Sequence, residues 1–84
     1  MSHRLLILPR AERQLAKLPA DHFSRLRDAI HALAGEPRPA GCRKLKGRDG
    51  YRLRIGAYRV VYAIDDREKI VTVLDLGHRR DVYR

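Results

Sequence analysis

Residues 51–62, YRLRIGAYRVVY, alternate apolar and polar side chains, break at Gly56-Ala57, and resume as a second β-branched and aromatic run. This pattern predicts two antiparallel strands, at about 50–55 and 58–64, joined by a two-residue turn. Glycine at the first central position is what a type II′ turn requires. The turn fixes the register: Ile55 with Tyr58, Arg54 with Arg59, Leu53 with Val60, Arg52 with Val61, and Tyr51 with Tyr62. One face then carries Tyr51, Leu53, Ile55, Tyr58, Val60 and Tyr62, enough apolar surface to lie on a core. The other sets Arg54 directly opposite Arg59, with Arg52 two residues along. Like charges so placed destabilise a sheet by a fraction of a kcal/mol to ~1 kcal/mol. A strand pair that tolerates this is suited to an anion, and phosphate is the usual one.

Upstream, residues 3–8 (HRLLIL) read as a short first strand closed by Pro9. Ala11, Leu15 and Leu18 recur at helical spacing and predict a first helix over roughly 10–18, ended by Pro19. Asp21 is positioned to cap a second helix, whose Phe23, Leu26, Ile30 and Leu33 share one face. Gly35 and then Pro37 supply its stop signals. The polar sides of both helices mix the two charges and read as solvated faces. Residues 36–49, EPRPAGCRKLKGRD, read as a loop rich in proline, glycine and basic residues. Downstream, Asp65-Asp66-Arg67 makes a turn and residues 69–76, KIVTVLDL, a last strand. The order β-α-α-β-β-β predicts an α+β fold: a helical hairpin packed on one face of a small, mainly antiparallel four-stranded sheet, its arginine face open.

The 84 residues make a single domain, 1–84, with a thin core in which each large apolar residue matters. Net charge is +9 and uneven: residues 1–42 hold seven Lys/Arg against four Asp/Glu, residues 43–84 twelve against six. Residues 43–59 alone hold seven basic side chains and one acid, Asp49. Such a patch attracts nucleic acid, an acidic protein or an anionic membrane. Membrane binding is disfavoured because the charges fall on strands and loops, not along an amphipathic helix. The single cysteine, Cys42, excludes an internal disulfide and a cysteine-based zinc cluster. His3, His22, His31 and His78 lack metal-site spacings, so no metal or cofactor is expected. The apolar run LLIL is too short for a signal peptide or a membrane span, which makes the cytoplasm the default location.

Three basic clusters carry candidate function. Arg52, Arg54 and Arg59 are either a phosphate-gripping surface of guanidinium forks or ordinary polar residues on a solvated strand. Their pairing, with no acid between residues 50 and 64, favours the former. The tail HRRDVYR (residues 78–84) holds His78, whose basic surroundings favour the neutral imidazole of a proton acceptor, and Tyr83, a ring able to stack on a base. A frayed basic terminus is the alternative. Arg43, Lys44, Lys46 and Arg48 read as charges that track a nucleic-acid backbone without discriminating sequence. Paired carboxylates, a phosphate-cradling glycine loop and a Ser or Cys triad are absent. Arginine, histidine and tyrosine suit metal-free RNA cleavage, in which the 2′-hydroxyl attacks its own phosphodiester and the protein positions, neutralises and transfers protons.

Taken together, these motifs resemble the RelE toxins of bacterial type II toxin–antitoxin systems, within the RelE/ParE superfamily. The resemblance spans nearly the whole chain. It is carried by the opening strand, AERQLAKLP at 11–19, KLKG at 44–47, YRLRIGAYRVVY and the closing GHRRDVY. It implies a ribosome-dependent, metal-independent endoribonuclease that cuts mRNA in the A site and is silenced by a RelB-like antitoxin. Toxin and antitoxin together would bind operator DNA. Arg52 and Arg54 stand where well-known members carry lysines implicated in proton transfer or charge stabilisation. Arg59 matches an arginine that contacts the scissile phosphate, Arg79 one assigned to the leaving group, and Tyr83 a tyrosine that orients the nucleotide. Arg80 is expected to add RNA contacts. Arginine is effectively never deprotonated, so the base is expected at His78 or Tyr83. The expected products are a cyclic phosphate and a 5′-hydroxyl. The alternatives are a ParE-type poison of DNA gyrase without nuclease activity and a nucleic-acid-binding module that leaves its ligand intact.

Overall fold

A computed structural model describes residues 2–78; Arg79, Arg80 and Tyr83 therefore lie outside the described residues. The elements are β1 (Arg4–Ile7), α1 (Pro9–Ala16), α2 (Ala20–Ala32), β2 (Cys42–Lys44), β3 (Tyr51–Ile55), β4 (Tyr58–Asp65) and β5 (Ile70–His78). They form a five-stranded sheet in the order β1-β5-β4-β3-β2, antiparallel throughout except for β1, which pairs with β5 in parallel. Two helices on one sheet face give the expected α+β class. The strand count is one higher than the sequence predicts, because β2 forms inside the segment read as a loop. Three residues, Cys42–Lys44, carry no alternation to read. The free hydrogen-bonding edge of β3 recruits them.

The β3–β4 hairpin has the register its turn demands, from Ile55 with Tyr58 to Tyr51 with Tyr62. Gly56 has φ +61°, and it is the hairpin's one left-handed residue, as a type II′ turn requires. Pro9 opens α1, where a missing N–H costs nothing, and the Leu8 carbonyl accepts the Glu12 N–H. α2 begins two residues earlier than expected. Pro19 is its N-cap and Asp21 sits in the first turn, where its charge suits the helix dipole without capping. Its exit tightens through three-residue hydrogen bonds at Leu33, Ala34 and Gly35.

Ala11 and Leu15 of α1, with Leu26 and Ile30 of α2 and the following Leu33, pack on Leu53, Val60, Tyr62, Val71, Val73 and Leu76. The spacing of Val71, Val73 and Leu76 is not a strict alternation. Val61 pairs with Asp75 while Tyr62 pairs with Val73, so Leu74 is an extra residue in β5. This bulge resets the phase, bringing Leu76 into the core and Asp75 to the opposite face. Beyond Ile7, β1 no longer covers the edge of β5. There the Leu76 N–H donates to Gln14 Oε1 at 2.9 Å, so α1 completes the edge with a side chain.

Candidate functional site

The open face of the sheet is built row by row from the strand pairings. Arg43 pairs with Arg52, Arg52 with Val61, and Val61 with Asp75. The next row sets Arg54 against Arg59 and Arg59 against Gly77. A two-residue turn makes Ile55–Tyr58 the hydrogen-bonded pair, so Arg54–Arg59 is the closer kind, with Cα atoms ~4.5 Å apart. Arg54 is exposed, Arg52 and Arg59 are half-buried, and Val61 between them is buried. Gly41, Arg43, Arg52 and Arg54 line a depression of about 380 Å³. Guanidinium groups around one concavity, with few acids among them, bind phosphate oxygens in pairs.

The expected site residues divide in the structure. Arg43, Arg52, Arg54 and Arg59 share one face. Lys44 pairs with Tyr51, which alternation turns to the helix side, and Lys46 and Arg48 stand exposed in the β2–β3 loop. His78 is not brought to the arginines. It pairs with Tyr58, and its ring meets the Tyr58 ring edge-on at 5.9 Å, with His22 of α2 at 5.0 Å from the same ring. An even number of strand positions separates His78 from Leu76, and this sets it on the helix side of the sheet.

Two members of the arginine face, Gly41 and Asp75, escaped the sequence reading. Gly41 and Arg43 join the depression only because β2 forms. Asp75 reaches the open face only through the bulge at Leu74. A signal for the latter exists: strict alternation from Val71 and Val73 drives a carboxylate into the apolar row.

A second polar cluster pins the segment that leads into β2. The Arg38 guanidinium donates to both oxygens of Asp66, Nη1 to Oδ1 at 3.2 Å and Nη2 to Oδ2 at 2.8 Å. It also donates to the Tyr51 hydroxyl from Nε and Nη2, each at 3.3 Å, and lies 5.1 Å from that ring's centroid. His3 Nε2 stands 3.5 Å from Asp66 Oδ1. The Arg38 hydrogen bonds hold the Asp66 carboxyl below the usual carboxylate range and push Arg38 further up. Below them the Tyr62 hydroxyl donates to the Pro37 carbonyl at 2.7 Å. Burial first, then a hydrogen bond with Cys42, pushes the ionisation of Tyr62 well above that of free tyrosine.

Among the described residues, no group of three or more His, Cys, Asp or Glu is arranged to hold a metal ion. No helix among the described residues is long and apolar enough to cross a membrane.

Comparison with known proteins places this arrangement. Toxin RelG of Mycobacterium tuberculosis is 37% identical over 78 residues, covering 88% of this chain and 87% of that protein. The RelE–RelB complex of Pyrococcus horikoshii superposes with a TM-score of 0.85 at 32% identity, over 98% of this chain and 100% of the matched one. The RelBE2 toxin–antitoxin complex of M. tuberculosis gives 0.81 at 28% identity, over 94% and 100%. Residues 5–83 match the family of ParE toxins of type II toxin–antitoxin systems. The chain therefore belongs to that family, and is a toxin of the RelE/ParE superfamily.

Proposed function

We propose that this toxin is a ribosome-dependent endoribonuclease that cuts mRNA in the A site without a metal ion. The observation that carries the reading is the Arg54–Arg59 pair, set face to face beside the depression lined by Arg43 and Arg52. Two forks at that spacing suit a phosphodiester whose charge rises in the transition state. RelE-named relatives on both the sequence and the structural side favour the same reading.

In the proposed reaction Arg54 and Arg59 grip the scissile phosphate, and Arg52 and Arg43 neutralise its neighbours. The 2′-hydroxyl attacks phosphorus in line. The bond to the 5′-oxygen breaks, leaving a cyclic phosphate and a 5′-hydroxyl. The roles of Arg79 in steadying the leaving oxygen, and of Arg80 and Tyr83 in holding the nucleotide, rest on the family resemblance. Arg43, Lys46 and Arg48 add backbone contacts to mRNA and ribosomal RNA, and Lys44 does so from the sheet's edge. A RelB-like antitoxin, acidic or amphipathic, is the proposed partner. Covering the arginine face, it would silence the toxin, and the pair would bind operator DNA.

Primer extension on mRNA in translating ribosomes tests this. Arg59→Ala is expected to lower cleavage by ~10²-fold or more, the scale for losing one transition-state donor. The name of the matched family favours one rival, a ParE-type gyrase poison. Intact mRNA in the presence of a growth-inhibiting protein, together with inhibited DNA supercoiling, would establish that rival instead.

A further inference from the structure

Among the described residues, the arginine pair needs a proton acceptor beside it. Arginine cannot take a proton, and His78 lies against Tyr58 on the other side of the sheet. Within the two rows that carry the arginines there is one acidic side chain, Asp75. The bulge at Leu74 turns it onto the arginine face, in line with Val61, Arg52 and Arg43. Its side chain is 20% exposed, and Arg10 Nη2 reaches its Oδ2 at 3.5 Å from the start of α1. The neighbouring position on that face of β5 is Gly77, which stands opposite Arg59 and carries no side chain. Asp75 and Gly77 are two residues apart, roughly 7 Å along the strand. A ribose-phosphate gripped by Arg59 and lying over Gly77 is therefore one row from a carboxylate.

We propose that Asp75 accepts the 2′-hydroxyl proton, with Arg10 as the positioning residue that orients its carboxylate. The assignment rests on the nuclease reading above. As the 2′-oxygen bonds to phosphorus, its proton passes to an Asp75 oxygen. The P–O5′ bond breaks with its electron pair on O5′, which takes a proton from solvent. Asp75 then returns its own proton to water, and the cycle closes with no net change in the protein. General-base help of this kind contributes about 10²–10⁴-fold.

The test is single-turnover cleavage of ribosome-bound mRNA by wild type, Asp75→Asn and Asp75→Glu in H2O and in D2O, beside RNA affinity by filter retention. Asp75→Asn is expected to cut at least ~10²-fold more slowly while binding RNA as wild type does. It should also show a smaller solvent deuterium isotope effect than wild type, in which the proton moves to the carboxylate as the 2′-oxygen attacks. A merely structural role for Asp75 would leave that isotope effect unchanged. Should Asp75→Asn lose its circular dichroism, Asp75→Glu decides, because it keeps the charge and shifts the oxygens by one methylene. Its expected outcome is a loss of about tenfold or more at unchanged affinity. Wild-type cleavage rates in the folded variant overturn the assignment alone and turn attention to Tyr83. Failure of wild type itself to cut removes the nuclease reading, and this assignment with it.

Discussion

Tyr62 joins two jobs that usually fall to different residues. Its ring is fully buried in the core and stacks on Tyr51 at 5.9 Å, while its hydroxyl donates to the Pro37 carbonyl. That bond ties the segment after α2 to the middle of the sheet. Because burial keeps the phenol protonated, the donor persists across any working pH. Tyr62→Phe keeps the ring and strands the carbonyl, so it is expected to destabilise the fold by about 1–2 kcal/mol. Urea unfolding should record this as a lower midpoint at unchanged slope. Conversely, little of this residue's polar role was visible beforehand. The alternation of residues 51–62 assigned Tyr62 to the core face, but the hydroxyl's partner lies 25 residues away in a proline-rich segment with no periodic signal.

At the scale of elements, the hairpin was legible and its neighbours less so. A glycine at the first turn position specifies both register and the side each arginine takes, which is why Arg54 and Arg59 face one another as read. By contrast, β2 exists through what β3 offers it, and the phase of β5 depends on one inserted residue. The end of the last strand was set too early for the same reason: β5 runs on through His78, and alternation decides the face that His78 takes. The loop before β2 is held to the β4–β5 turn by Arg38 and Asp66. In the folded chain the Asp66 carboxyl lies below its ordinary value, so the unfolded chain takes up the proton first. The contribution of Asp66 is therefore complete above its unfolded value near ~4 and is lost as pH falls through the folded one. Thermal melts should accordingly separate wild type from Asp66→Asn at pH 6 and draw them together toward pH 3. Both side chains are substantially exposed, so added salt should narrow the gap at pH 6.

For the whole molecule, charge and topology have separate consequences. A net charge of +9 on 84 residues, concentrated from Arg43 onward, makes association with RNA a counterion-release process. If Arg43, Arg52, Arg54 and Arg59 each meet one phosphate, log affinity for single-stranded RNA should fall with log salt at a slope of about −3, and Arg52→Ala should flatten it by about 0.7. Fluorescence anisotropy across a salt series measures both. Topology acts on synthesis. Among the described residues β5 is the last strand made, yet it lies between β4 and β1 and is the only strand β1 pairs with. Until residues 70–78 leave the ribosome, the first strand has nothing to join and the helices have half a floor. A nascent chain at that stage is a helical hairpin beside a loose β-ribbon, rich in unsatisfied long-range pairings. The toxin thus acquires its shape only after the ribosome producing it has read past the codon for His78.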